Sequence, residues 1–453
     1  MRARIDSLVA LATILSCGIA AAQGPRLEFI ERLADPLGAY NLGGAHAVTI
    51  SPDGRHVYTA SFDDNAVVVL SRNVVTGAVS FLQAKLDQEG EVRGLFRPVS
   101  IVVAPDGAHV YVGAFFGDAV ATFARDPLTG ELRFVDALFG GAAGQRGLTQ
   151  VHGMAFVPDG SQLVVVSYGD NAITVLTRDR HSGRLAVTQV LSDRGDSGEV
   201  EGLVRPTAVA VSPTGTDVFV VSSGSASLVH LRRTAETGHL IPLASFLDGV
   251  SGVGGLAGVV AVSVSPDGRD IYTLGTEAVG HFRQDPDGNL QFVGTLTDPE
   301  VIGGGDSAGP TALALAPQGS AMLVTRGGDD TVVLLERDLQ SGDLQIVDAV
   351  RDGENGVDGL AGAADASFDP AGRFAYVASQ FDDSVATFRR WPRCEGDCNE
   401  DGEVTVEELV LGVAALLTEA QPLGCWQMDR SGDGRLTVDE IVRGVRHALG
   451  GCS

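Results

Sequence analysis

Lysine is almost missing from this 453-residue chain. Lys85 is the only one, and arginine carries nearly all the positive charge. With 32 basic against 58 acidic residues, the formal net charge is -26 at pH 7. Nucleic-acid binding needs basic surface, and so does docking on anionic lipid, so the composition argues against both. Acidity by itself favours solubility and names no partner. Long apolar runs are missing too, except at the N-terminus. There MRARIDSLVALATILSCGIAAAQ places two arginines, an apolar run and Ala20-Ala21-Ala22 before Gln23. That is the layout of an export signal, and the run is too short for an ordinary membrane span. The expectation is a signal peptide over 1–22, cleaved near Ala22, and a secreted protein, extracellular or periplasmic, with no membrane span. Cys17 after Ile14-Leu15-Ser16 is a poor lipoprotein box and leaves lipidation as the rival.

Cysteine is absent between Cys17 and Cys394. The remaining four are Cys394, Cys398, Cys425 and Cys452, all close to the C-terminus. An even number in an exported chain points to two disulfides, with three connectivities open. The division is therefore a main body over 23–391 and a tail over 392–453 built on other principles.

Glycine is plentiful, and one tight-turn proline recurs: Pro52, Pro105, Pro158, Pro213, Pro266, Pro317 and Pro370. The phrases around it include SPDGRHVY, APDGAHVY and SPDGRDIY. Seven copies at a nearly fixed period mean a repeat architecture. Each copy reads as four short strands rich in Val, Thr, Phe and Tyr, broken by Gly, Asp, Asn and Pro. Four strands per unit, arranged radially, make a β-propeller blade. In the first strand, positions -4 and -2 from the proline are mostly large, and the residues between them are mostly small, which suits nested blades buried on both faces. Six copies carry a fourth strand after a glycine turn, as in TGELRFV and DGNLQFV, whereas the seventh stops at ATFRRWP. The missing strand is LEFIERL at 27–33, predicted to pair with 384–390 and close the ring so that no edge is exposed.

The run xSPDGRxxYxA, followed by a DD or DN turn and a TGxL turn, resembles the lactonase-like family of seven-bladed propellers, which includes 6-phosphogluconolactonase-type and muconate-cyclase-type proteins and overlaps with YVTN-type repeats. The resemblance covers 24–390. It implies an all-β seven-bladed fold and a lactone-hydrolase activity worked by His, Arg and acidic residues at the channel mouth. The recurring residues are turn and core residues, so they speak for the fold more than for activity.

Each blade is approached through a long Gly-rich segment, such as LDQEGEVRGLFRP, on the same face as the Asp-rich second turns. Varied loops on a rigid ring suit a site. Position -6 from the turn proline holds His46 and His152, position -8 holds Arg97 and Arg205, and blade seven adds Asp365 at -5. A histidine there can act as general base and an arginine can stabilise an oxyanion. The plainer reading has His46 and His152 hydrogen-bonded to loop backbone and the arginines bracing matched Arg-Pro joints. His56 and His109, beside a turn, are expected to be exposed. A catalytic metal would need several converging oxygen ligands, and the ring offers one carboxylate, so no metal is expected in the channel.

In the tail, DCNEDGEVTVEE at 397–408 matches D-x-[DN]-x-[DN]-G-x5-E, and DRSGDGRLTVDE at 429–440 matches it except for Ser431. Two Ca²⁺ are expected. Asp397, Asn399, Asp401, Glu403 through its carbonyl, Thr405 and Glu408 would hold one; Asp429, Ser431, Asp433, Arg435 through its carbonyl, Thr437 and Glu440 would hold the other. Each loop runs into an amphipathic helix, with Leu409, Val410, Val413 and Leu417 on one face and Ile441, Val442, Val445 and Leu449 on the other's. This resembles a dockerin, an EF-hand pair lacking entering helices, though with Glu at the twelfth position and four cysteines. Three roles stay open: a secreted lactone hydrolase, a non-catalytic propeller binding a small molecule, polysaccharide or protein on the same face, and attachment to a protein partner or the cell surface through the tail.

Overall fold

The computed structural model describes residues 25–141, 146–193, 200–303, 309–392, 394–400, 403–418, 425–431 and 433–450. The expected signal peptide, Cys17, Asp401 and Cys452 lie outside them. Among the described residues no helix is long and apolar enough to cross a membrane.

Seven four-stranded antiparallel sheets form the body. Blade 1 is β2 (Ala45–Ile50), β3 (His56–Ser61), β4 (Ala66–Arg72) and β5 (Val79–Leu86). Blades 2 to 6 follow as β6–β9 (98–139), β10–β13 (151–192), β14–β17 (206–247), β18–β21 (261–296) and β22–β25 (310–351). Blade 7 has β26 (Ala363–Phe368), β27 (Phe374–Ser379) and β28 (Ser384–Trp391), and its fourth strand is β1 (Arg26–Ala34). Contacts between consecutive first strands, including β2 with β26, close the ring.

The closing strand pairs as expected, Leu27 with Arg390 through Ala34 with Ser384. It also carries the fourth-strand irregularity: Phe29 faces Phe388 and the register slips before Glu31, as it does between Phe123–Phe134 and Thr122–Asp136 in blade 2. Phe29 and Phe134 are therefore equivalent, which is why LEFIERL reads like LRFVDAL.

Every residue of each second strand is buried in all seven blades. β-branched and aromatic side chains stand on both faces there and fill the seams between blades, each apolar side chain contributing roughly 1.5–3 kcal/mol on burial. A short helix, α1 (Pro299–Ile302), follows blade 5.

At the turn-proline face the seams also hold buried polar staples. Arg125 of blade 2 bonds the Tyr58 hydroxyl at 2.7 Å and the Asp53 carboxylate at 2.7 Å, both in blade 1. Arg178 reaches Tyr111 and Asp106 in the same way, and Arg337 reaches Tyr272, Asp267 and Asp270. Here the expectation for His56 and His109 fails. Each is 4 % exposed, and each ring Nδ1 lies against the staple arginine, Arg125 or Arg178. The next blade's glycine turn seals them in: a Cβ on Gly130 would stand 2.1 Å from the His56 ring.

The tail holds α2 (Val406–Thr418), a 3-10 turn over Trp426–Met428 and α3 (Val438–Gly450). A Cys398–Cys425 disulfide and a small core of Cys425, Met428, Leu436 and Ile441 hold it together. Cys394 is disulfide-bonded as well. Leu409 packs against that core, but Val410, Val413, Leu417, Val442, Val445 and Leu449 are exposed, so the expected apolar faces divide rather than bury as units.

Candidate active site at the channel mouth

Position -8 is left-handed in six of the seven blades, at Gly44, Arg97, Gln150, Arg205, Gly258 and Gly362, with φ from 54° to 69°. Glycine takes this conformation freely, and Arg97 and Arg205 take it at a cost of about 1–2 kcal/mol. A latch offsets that cost. The backbone N–H of Arg97 donates to Asn65 Oδ1 at 2.9 Å, and that of Arg205 to Asn171 Oδ1 at 2.8 Å, each from the preceding blade's second turn. Gly44, Gln150 and Gly362 repeat the latch through Asp383, Asp118 and Asp330.

Position -6 follows on a β-bulge. The strand pairing skips His46 between Ala45 and Ala47, and it skips His152 between Val151 and Gly153. Such a bulge frees a residue from the ladder and re-aims its side chain. His152 Nδ1 lies 2.8 Å from the Thr207 carbonyl oxygen. His46 Nδ1 is buried with no hydrogen-bond partner. Burial holds His46 down at about 4, and His152 nearby pushes the same way. Burial also lowers His152. Both rings are therefore neutral at pH 7.

Asp365 sits in β26, where its carboxylate accepts the N–H of Val48 at 2.9 Å and of Ala366 at 2.9 Å. Burial raises it to about 6 despite those two bonds. Val48 is two residues beyond His46 in β2, so the carboxylate binds the strand that carries the histidine, about 7 Å along it. It makes no hydrogen bond to either histidine among the described residues.

The two arginines differ. Arg97 is ion-paired with Asp63 and lies 4.8 Å over the Phe62 ring. Arg205 lies 5.6 Å over the Tyr168 ring, and its exposed guanidinium has no hydrogen bond or ion pair among the described residues.

Sequence reasoning missed the aromatic rings between them. Phe62 stacks on His46, Phe116 contacts Phe62, Phe96 and Phe115, and Phe115 and Tyr168 flank His152. Phe96 and Phe116 are about half exposed. Phe62, Phe115 and Tyr168 head the second turns of blades 1 to 3, whereas blades 4 to 7 have Ser223, Thr276, Gly327 and Gln380 there; Phe116 and Phe381 come one residue later in blades 2 and 7. The signal was the residue after each second strand, which differs between the two halves of the ring. Between blades 6 and 7, where the ring was expected to offer a single carboxylate, Asp352, Asp358 and Asp382 come within 4.8 Å of one another, and Arg32 supplies counter-charge to Asp358 at 2.7 Å.

In the tail, Glu408 accepts the N–H groups of Cys398, Asn399 and Thr405, and Glu440 accepts those of Ser431 and Thr437. Each glutamate closes its loop and caps the following helix through the Thr-x-x-Glu pairing. Asp429 accepts from Gly434 N–H at 2.8 Å, and Asp433 from Arg435 N–H at 2.8 Å. Asp397, Glu408, Asp429 and Glu440 are buried, whereas Asn399, Glu403, Thr405, Ser431, Asp433 and Arg435 face outward.

A family model described as lactonase, 7-bladed beta-propeller, matches residues 32–145 and 255–395. No curated protein matches the chain in sequence. Among solved structures, the periplasmic gluconolactonase of Pseudomonas aeruginosa is 20% identical with a TM-score of 0.54, over 68% of this chain and 86% of its own. A putative 6-phosphogluconolactonase from Bacteroides uniformis is 19% identical with a TM-score of 0.52, over 66% and 83%. Virginiamycin B lyase from Staphylococcus aureus is 12% identical with a TM-score of 0.54, over 80% and 99%. At these identities the likeness speaks for the fold alone.

Proposed function

The chain belongs to the lactonase family of seven-bladed β-propellers, and from that premise we propose that it is a secreted hydrolase opening a lactone at the histidine-bearing mouth. The observation that carries this reading is His46: a neutral imidazole on a bulge, whose buried Nδ1 makes no well-formed hydrogen bond although the Val99 backbone acts on the ring. His46 takes a proton from water as the water oxygen attacks the lactone carbonyl. The ring C–O bond then breaks, the leaving oxygen takes the Asp365 proton to give the open hydroxy acid, and the proton on His46 returns to Asp365 through water, restoring both groups. Arg205, unpaired, meets a negative group of the ligand, while Arg97 is committed to Asp63 and acts as a brace. The exposed rings around Phe116 favour a ligand with a flat apolar face.

The test is lactone hydrolysis by the mature protein over a panel of lactones in a pH-stat, with His46→Ala beside it. Turnover that the variant loses supports the reading. No turnover on any lactone removes it and leaves a binding propeller.

The tail is read as a pair of calcium loops. The donor chemistry fits: each short loop gathers two buried carboxylates and further side-chain and backbone oxygens of the kind that Ca²⁺ takes. Asp397, Asn399, Asp401, Glu403, Thr405 and Glu408 would hold one Ca²⁺, and Asp429, Ser431, Asp433, Arg435, Thr437 and Glu440 the second, supplying loop stability rather than chemistry at the mouth. A partner-docking role for the tail is favoured by one specific feature. Val406, Val410, Val413 and Leu417 are exposed on α2, and Val438, Val442, Val445 and Leu449 on α3, each pair 32 residues apart.

A further inference from the structure

One seam of the propeller lacks the carboxylate that its neighbours have. Six blades carry an arginine twenty residues after the turn proline: Arg72, Arg125, Arg178, Arg233, Arg337 and Arg390. Arg72, Arg125, Arg178 and Arg337 each reach a tyrosine and an aspartate of the preceding blade. Arg390 cannot. In blade 6 the tyrosine position is Leu323, and the aspartate position is Gln318, whose buried Oε1 has no hydrogen-bond partner. The Arg390 guanidinium is nevertheless buried, its Nε donating at 2.8 Å to the Gly372 carbonyl, the equivalent of the glycine carbonyls that its counterparts reach through Nη1. A buried arginine without a carboxylate is strongly destabilising.

The carboxylate comes from the tail. Glu400 pairs with Arg390, accepts the Ser320 hydroxyl and accepts Gln427 Nε2 at 3.1 Å. Beside it, Trp426 donates its indole N–H to the Ala371 carbonyl at 2.9 Å, and Arg373 and Arg390 lie 6.0 and 5.4 Å over its ring. Arg373 also meets Asp429 at 3.4 Å, both side chains buried.

We propose that the tail is the seventh-blade staple of the propeller: Glu400 takes the place of the aspartate missing from blade 6, so the tail and the blade 6–blade 7 seam form one cooperative unit. Because Glu400 lies inside the first acidic loop and Asp429 opens the second, whatever orders those loops also tightens the seam. This last step rests on the calcium reading of the tail; the staple itself does not.

Hydrogen exchange on the full mature chain tests it. Glu400→Gln is expected to raise exchange about tenfold or more in the blade 6 turn around Ser320 and the end of β28, leaving the blade 1–blade 2 seam unchanged. Adding Gln318→Asp and Leu323→Tyr in that background is expected to restore protection by building the staple inside the ring. Exchange that rises only within the tail, or that the added pair fails to restore in a folded variant, overturns the staple. Removing Ca²⁺ with a chelator from the unmodified chain is expected to loosen the same seam; loosening of the tail loops alone overturns the coupling and leaves the Glu400→Gln result to judge the staple.

Discussion

The Arg72 guanidinium of blade 1 stands 2.7 Å from the Asp369 carboxylate of blade 7, with 2% and 5% of the two side chains exposed. This pair joins the first blade to the last, next to the Tyr376 hydroxyl and the Gly54 carbonyl. Removing one partner leaves the other charge buried and alone, which costs about 3–5 kcal/mol. Arg72→Ala is expected to lower the unfolding free energy measured in urea by that order. Arg97→Ala, whose partner Asp63 is more than half exposed, is expected to cost under about 1 kcal/mol. Equal losses in the two variants would show that the seam staple is no stronger than a surface pair.

His46 carries the catalytic reading and is separable from folding. Its Nδ1 makes no well-formed hydrogen bond, and the Val99 backbone acts only weakly on the ring, so a substitution breaks little. His46→Ala is therefore expected to lower kcat for a lactone about a hundredfold or more while KM and the melting temperature change little. His152→Ala is expected to change stability instead, because it removes the contact with the Thr207 carbonyl. Retained turnover in His46→Ala would move the chemistry elsewhere.

The ring was legible because its signals are local. Turn prolines, the TG turns and the spare LEFIERL strand each report on a few neighbouring residues, and the period assembled them into blades. The staples were not legible. Arg72 and Asp369 are 297 residues apart, and Asp53 in a PDG turn reads as turn chemistry although it also takes Arg125 from the next blade. The same gap misplaced His56 and His109, which look exposed until the neighbouring glycine turn is set over them. At the mouth, position -6 picked out the histidines but not their surroundings. The left-handed backbone at Arg97 and Arg205 and the bulges that turn His46 and His152 arise from pairing with adjacent strands and blades. In the tail the loop spacing was readable, but the contact of Glu400 and Trp426 with the propeller was not.

The aromatic half of the mouth predicts a preference among ligands. Phe116 is 54% exposed and contacts Phe62, which stacks on His46. A ring ligand lying there gains roughly 1 kcal/mol from each aromatic face. Phe116→Ala is expected to raise KM about fivefold for an aryl-fused lactone such as dihydrocoumarin and to leave KM for δ-valerolactone unchanged. An equal change for both would mean that the rim shapes the mouth without contacting the ligand.

Asp365 and His46 titrate in opposite senses from their ordinary values, and this sets the pH behaviour. His46 must be neutral to act as base, so kcat/KM rises through about 4. Asp365 must be protonated to act as acid, so kcat/KM falls through about 6. The expected profile is a bell with its top near pH 5. Asp365→Asn is expected to abolish the falling limb and lower the top. Stability gives an independent check. The folded state resists ionising Asp365, raised from 3.8 to about 6, so its contribution is fully present below pH 3.8 and is lost as pH rises through 6. The loss is about 3 kcal/mol, the shift multiplied by 1.36 kcal/mol per unit. Asparagine cannot ionise, so Asp365→Asn is expected to gain on the unmodified protein in thermal melts between pH 4 and 7 and to show no such gain below pH 4. A constant difference across that range would mean that Asp365 carries its charge in the folded protein, and the acid role would fall with it.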